Sequence, residues 1–276
     1  MEILDYYRDI QARASTDAVK STCHFLKTVN NNPESHGSGV FIEIDQNYFL
    51  ITAAHVIEGQ ENDIYIGIGE HEALKLGGDL IVNALPAGRH RDKDKIDIAI
   101  LRLNQETINK LSGKYSFIRQ SELGVNHELK LLPMYISVGF PATKSKYNRV
   151  KDEIKSKPFI YTTMPASTET YSKLKCDLFT NIIVHYDKKR VKNYKTGLFN
   201  TGPDPYGISG SGLWFIPPQL EMPGQDVNKK LVGIATEWSE NKKYWICTRI
   251  DIFTEMIRQR YNLNIPQSRI VKLNLG

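Results

Sequence analysis

Three separate segments carry residue types that could act on one substrate together. Gly207-Ile208-Ser209-Gly210-Ser211-Gly212 sets two hydroxyls among glycines, where the backbone can bend sharply and come close to a ligand. Exposed N–H groups in such a turn suit a developing oxyanion, and either Ser209 or Ser211 could attack. Ile51-Thr52-Ala53-Ala54-His55-Val56-Ile57 ends an apolar run on a histidine behind two small residues, which leaves the ring room to point into a cleft as a base. Lys95-Ile96-Asp97-Ile98-Ala99-Ile100-Leu101 holds an aspartate between apolar neighbours. A carboxylate turned inward needs hydrogen-bond donors, and an imidazole N–H is one. Asp92 and Asp94 read instead as solvated turn residues of a charged loop. Each segment alone has a plain alternative: a Gly/Ser loop, or a half-buried histidine satisfied by a local carbonyl.

Together, in type and order, the three resemble the chymotrypsin-like serine proteases, whose triad runs His…Asp…Ser. The intervals are 42 residues from His55 to Asp97 and 112 from Asp97 to Ser209. Gly37-Ser38-Gly39-Val40-Phe41 is similar to the family's strand ahead of the histidine. Leu231–Thr236 is similar to its substrate-flanking strand, and Thr248-Arg249-Ile250 followed by a helix to its C-terminal close. The resemblance runs over roughly residues 18–260, with nothing recognisable in 104–200. It implies Ser209 as the nucleophile ahead of Ser211, His55 as general base, Asp97 as the group orienting it, and the N–H groups of Gly207 and Ser209 as an oxyanion hole. It places the substrate pocket near Pro203 and Asp204, and runs Ala235, Thr236, Glu237 and Trp238 alongside the substrate. The implied activity is that of a serine endopeptidase acting on protein or peptide through an acyl-enzyme, with no cofactor and no metal. One position departs from the pattern. Digestive members carry an aspartate before the nucleophile, which pairs with a new N-terminus after zymogen cleavage; here Ile208 cannot make that pair. Restraint through a partner protein, a ligand or the oxyanion loop is expected in place of that route.

Chain order excludes other hydrolase frameworks. An α/β-hydrolase needs its histidine after the nucleophile, and the last histidine here is His185. No cysteine sits in a Gly-rich turn, and Cys23, His24 and His36 fit no zinc spacing. Lys144–Lys157 and Lys188–Lys195 are basic stretches with Tyr147, Tyr186 and Tyr194 nearby. They read as solvated hairpin tips; nucleic-acid binding, with the basic groups along the phosphate backbone and the tyrosines stacking bases, is the less favoured view. An inactive protease-like scaffold that binds peptides is the other alternative.

The elements that must position these groups are mostly strands. The chain has 276 residues, 41% hydrophobic and 24% charged, with a net charge of +5, a composition that excludes disordered, collagen-like and coiled-coil classes. Apolar spacing predicts a helix over residues 2–14, at Ile3, Tyr7, Ile10 and Ala14. Strands are predicted at Val40–Ile44 and Tyr48–Thr52, flanking the polar turn Asp45-Gln46-Asn47, then at Ile64–Ile68, Leu80–Leu85 and Ile96–Leu103. After a polar connection, further strands are expected at Lys130–Val138, Phe159–Thr163, Leu178–His185, Gly212–Ile216, Lys230–Ala235 and Tyr244–Thr248. A last helix starts at Asp251 as N-cap. The expected architecture is all-β: two six-stranded barrels of the chymotrypsin type with a helix at each end. Its divisions are an N-terminal extension (1–17), a first barrel (18–118), a second barrel with the C-terminal helix (119–262) and a tail (263–276). Charges within the first ten residues leave no leader-like apolar run, and no run nears the ~18 residues that cross a bilayer. Three widely spaced cysteines argue for free thiols, so a cytoplasmic protein without membrane partners is expected.

Overall fold

A computed structural model describes the chain except residues 1, 2, 62, 70, 71, 86, 87, 89, 130–133, 149–152, 193–196, 218–226, 240, 242 and 274–276. The first half opens with helix α1 (Ile3–Lys20) and strands β1 (Thr22–Val29), β2 (Asn32–Ile44) and β3 (Asn47–Ala53). A short helix α2 (Ala54–Ile57) follows, then β4 (Ile64–Gly67), β5 (Ala73–Leu74), β6 (Gly78–Val82) and β7 (Ile98–Leu103). Helix α3 (Gln105–Leu111) and β8 (Ile118–Arg119) lead into β9 (Met134–Gly139), β10 (Ser145–Asn148), β11 (Glu153–Ser156) and β12 (Phe159–Thr163). Helix α4 (Thr168–Leu174), β13 (Asn181–His185), β14 (Val191–Lys192) and β15 (Phe199–Asn200) precede the closing strands. These are β16 (Gly212–Ile216), β17 (Lys230–Ser239) and β18 (Tyr244–Arg249), followed by α5 (Ile250–Tyr261). Among the described residues, no helix is long and apolar enough to cross a membrane.

Two curled antiparallel sheets make up the body. The first runs β5-β4-β1-β2-β3-β7-β6, and the second β12-β9-β16-β17-β18-β13. Two-residue β5 and the parallel partner β8 extend the six principal strands of the first sheet. Two tight hairpins set its register. Asn30 and Asn31 join β1 to β2, and Asp45 and Gln46 join β2 to β3, all four with positive φ between 48° and 61°. Paired left-handed residues match strand twist, and Asn and Asp tolerate that region best.

Alternation along β3 and β7 divides the core. Phe49, Ile51, Ile98 and Ile100 face the joint between sheets, where Ile136, Val138, Trp214, Ile216 and Ile234 meet them. Leu50, Ala99, Leu101 and Leu103 point the other way, into the first sheet's own interior. This is the period-2 signature of a strand buried on both faces.

Helix α1 runs to Lys20, beyond the predicted 2–14, because Ala14 and Ala18 are buried in the joint and Ser15 and Thr16 bond back to the Ala12 carbonyl. The predicted strand over Lys130–Val138 begins at Met134, its first residues lying outside the described ones. Asp251 is not the N-cap of α5. Arg249 holds that place, and Asp251 is a buried second helical residue that accepts hydrogen bonds from Asn126 N–H and Ser268 Oγ.

Candidate active site

Strand register brings His55 and Asp97 together. β3 and β7 pair antiparallel with Ala53 opposite Ile98, so the residues just past one strand end meet those just before the other. The Ala54 N–H donates to the Asp97 carbonyl at 3.1 Å, and the His55 N–H donates to Asp97 Oδ1 at 3.0 Å. His55 Nδ1 lies 2.5 Å from Asp97 Oδ2. A carboxylate can only accept here, so Nδ1 carries a proton. Nε2 has no partner among the described residues, and the His55 side chain is 41% exposed, against 4% for Asp97.

The Gly207–Ser211 turn feeds β16 of the other sheet and docks on Ser38 of β2. Ser38 N–H donates to the Ser209 carbonyl at 2.8 Å, and Ser38 Oγ donates to the Gly207 carbonyl at 3.0 Å. Ser38 O in turn accepts from Thr52 Oγ1 at 2.7 Å, three residues before His55. At Gly210, φ is +86°, and a Cβ would fall 1.8 Å from Ser38 O and 2.2 Å from Thr52 Oγ1. Only glycine fits. Gly207 has φ +87°, and among the described residues neither its N–H nor that of Ser209 has an intramolecular acceptor. Both N–H groups therefore remain available to a ligand.

The two serines differ in access. Ser209 is half-buried, and its Oγ has no hydrogen-bond partner among the described residues, His55 included. Ser211 is fully buried, with its Oγ unpaired. Ile208 packs into the interior of the second sheet with Leu213, Val232 and Trp245, so burial anchors this position of the turn.

The remaining expected site residues have partners of their own. Pro203 O accepts from Tyr186 Oη at 2.7 Å, and Tyr186 stacks on Trp245 at 4.2 Å. Asp204 bonds Lys188 at 2.7 Å, and that hydrogen bond holds its carboxyl below the usual range against the opposing cost of burial. Ala235 gives both backbone groups to the serine turn, accepting from Gly210 N–H at 2.7 Å and donating to Ser211 O at 2.8 Å. A register shift between Ala235 and Glu237 re-aims the strand. Thr236 is buried with its hydroxyl on Ile246 O; Glu237 pairs with Lys95 across the two sheets. Trp238 lies edge-on to Tyr186 at 6.2 Å, with Lys188 Nζ 5.9 Å from its ring centre.

Asp94 is not a solvated turn residue. Its carboxylate accepts from the N–H groups of Ile96 and Asp97 and from Asn83 and Arg91. Burial opposes ionisation of Asp94, yet these donors hold its pKa below the ordinary value. Asp94, Asn83, Arg91 and Ser38 were missed because each acts through a fold contact; only the serine of Gly37-Ser38-Gly39 lay in a segment already singled out. Of the two basic stretches, Lys144 sits over the Phe159 ring and Arg190 over Phe199, while residues 149–152 and 193–196 lie outside the described ones. Cys23 and Cys247 are buried free thiols, and burial pushes both up, which disfavours the reactive thiolate.

No family model and no curated relative matches the chain. Solved structures do. An inactivated protease paralogue from the scabies mite superposes with a TM-score of 0.54 at 16% identity, covering 89% of this chain and 96% of that one. The chain has a trypsin-like fold. The VesB protease of Vibrio cholerae gives a TM-score of 0.50 at 14% identity over 88% of this chain, which spans 64% of VesB's length. The trypsin-like fold includes both curled sheets and the terminal helices, and the site described above lies where the two sheets meet.

Proposed function

We propose that the chain is a serine endopeptidase. The observation that carries this reading is the 2.5 Å contact between His55 Nδ1 and Asp97 Oδ2, supported by Thr52, three residues before His55, which bonds the same Ser38 that docks the serine turn. Ser209 Oγ bonds to the scissile carbonyl carbon while its proton passes to Nε2. The carbonyl oxygen, now negative, takes hydrogen bonds from the N–H groups of Gly207 and Ser209. His55 then gives the proton to the leaving amine as the C–N bond breaks, and water hydrolyses the acyl-serine by the same path. Asp97 stabilises the imidazolium without itself taking the proton. With Ile208 seated by burial, the turn needs no chain cleavage, so restraint falls to a partner or ligand. Because Lys188 neutralises Asp204, that carboxylate gives no basis for preferring a basic substrate side chain. The buried free thiols of Cys23 and Cys247 support a reducing compartment, the cytoplasm.

The second reading, a protease-like scaffold that binds peptides without cutting them, is favoured by the missing bond between Ser209 Oγ and His55. Such bonds often tighten only when substrate is present. Labelling of the intact chain with a fluorophosphonate separates the two. We expect labelling of the wild type, its loss in Ser209→Ala and its retention in Ser211→Ala. A wild-type chain that resists the probe leaves the scaffold reading standing.

A further inference from the structure

Asp97 sits at φ +42°, a left-handed conformation that an aspartate adopts at some cost. Its neighbours show what holds it. Asp94 Oδ2 accepts from the Asp97 N–H at 2.9 Å, and Asn83 Oδ1 accepts from the Ile98 N–H at 2.9 Å. The peptide groups on both sides of the strained residue are thus fixed by side chains. Arg91 ties these two acceptors together, reaching Asp94 Oδ2 and Asn83 Oδ1 from one nitrogen at 2.9 Å each. The rest of its guanidinium grips Glu58 through two bonds of 2.8 Å. Glu58 is the C-cap of α2, the helix that carries His55. One cation therefore fastens the loop before Asp97 to the helix bearing its hydrogen-bond donor.

We infer that Asp94, Arg91 and Asn83 are positioning residues that hold Asp97 in its left-handed conformation and lock its separation from His55. The strap is mostly shielded, with Arg91 and Asp94 side chains 13% and 11% exposed, so it is less screened than a surface ion pair. The consequence for turnover rests on the proteolytic reading; the grip on the His55–Asp97 pair does not.

The test uses the full chain with Asp94→Asn and Arg91→Lys. Asparagine keeps the volume but loses the charge, and lysine cannot hold Glu58 and Asp94 in one planar fork. Two measurements are made on protein shown to be folded by circular dichroism: the downfield proton resonance of His55 Nδ1–H, and kcat and KM on a peptide substrate. Both variants are expected to lose or broaden the resonance through faster exchange with water. They are also expected to lower kcat about ten- to a hundred-fold with KM little changed, as for a displaced catalytic group. If Asp94→Asn does not fold, Glu58→Gln at the exposed end of the strap takes its place, with the same changes in smaller degree. Folded variants with the wild-type resonance and kcat overturn the inference. If wild type shows the resonance and cuts nothing, the proteolytic reading fails, and the resonance alone judges the strap.

Discussion

His24 shows how one buried side chain can make the whole chain acid-sensitive. Its ring is 7% exposed, stacks on Phe140 at 5.1 Å and meets Ser35 Oγ at 2.8 Å. Burial lowers its pKa to about 4. An unfolded histidine titrates near ~6.5, so above that value neither state is protonated and the neutral ring costs nothing. As pH falls from ~6.5 towards 4, the unfolded chain takes up a proton that the folded chain refuses, and stability drops by about 1.4 kcal/mol per pH unit, about 3 kcal/mol in all. His36, lowered chiefly by burial, adds a loss of the same sign. Urea denaturation between pH 7 and pH 4.5 should therefore show a steeper fall for wild type than for His24→Phe. Equal slopes would mean that the folded chain accommodates the charged ring.

At the scale of elements, the C-terminal segment is part of the core rather than an appendage. Ile265 and Val271 are buried in the joint cluster. Ser268 supplies its N–H to Glu255 Oε1 at 2.7 Å and its hydroxyl to Asp251 Oδ1 at 2.8 Å. Both carboxylates belong to α5 and are almost fully buried. Burial opposes the charge on Glu255, yet Arg258 and the Ser268 N–H keep its carboxyl below the usual range. Deleting residues 264–276 removes two apolar anchors and takes one hydrogen-bond donor from each of two buried acids. At about 1.5–3 kcal/mol for each hydrogen bond to a charged group plus the lost burial, a fall in Tm on the order of 10 °C is expected by calorimetry. A change of a degree or two would show that the segment only decorates α5.

The sequence disclosed strands better than it disclosed ends. Strand cores such as Phe49–Ile51 and Ile98–Leu101 were legible because alternation over an apolar run has one physical reading. Helix α1 was read short because polar Ser15, Thr16 and Asp17 hid the buried Ala18. The tail was unreadable because its anchors, Ser268 with Asp251 and Glu255, are contacts between segments. At the site, His55, Asp97 and Ser209 stood out by type and order. Asp94 did not, since a carboxylate in a charged loop looks the same whether it faces water or caps Asp97.

For the whole molecule, the decisive contact is the one that fixes the serine turn of one sheet to the histidine-bearing sheet. Ser38 makes it almost alone. Fully buried on β2, its hydroxyl accepts from the Phe140 N–H at 3.0 Å and donates to the Gly207 carbonyl at 3.0 Å, while its N–H holds Ser209 O. The hydroxyl thus orients the peptide that follows Gly207, and the Phe140 bond ties the same point to the end of β9. Ser38→Ala keeps the backbone bond but leaves a buried carbonyl and a buried N–H unsatisfied, which should cost about 1–3 kcal/mol in urea denaturation. The larger effect is expected on chemistry, because a turn free to rotate presents its N–H donors to an oxyanion only part of the time. Losing one such donor lowers the rate by about 10²–10³, so fluorophosphonate labelling of Ser38→Ala should slow by at least ten-fold, while the His55 Nδ1 proton resonance stays as in wild type. That split separates docking of the serine turn from alignment of the imidazole. A variant that loses the resonance as well would show that Ser38 holds the histidine side too, through Thr52, and that the two sheets cannot be adjusted independently.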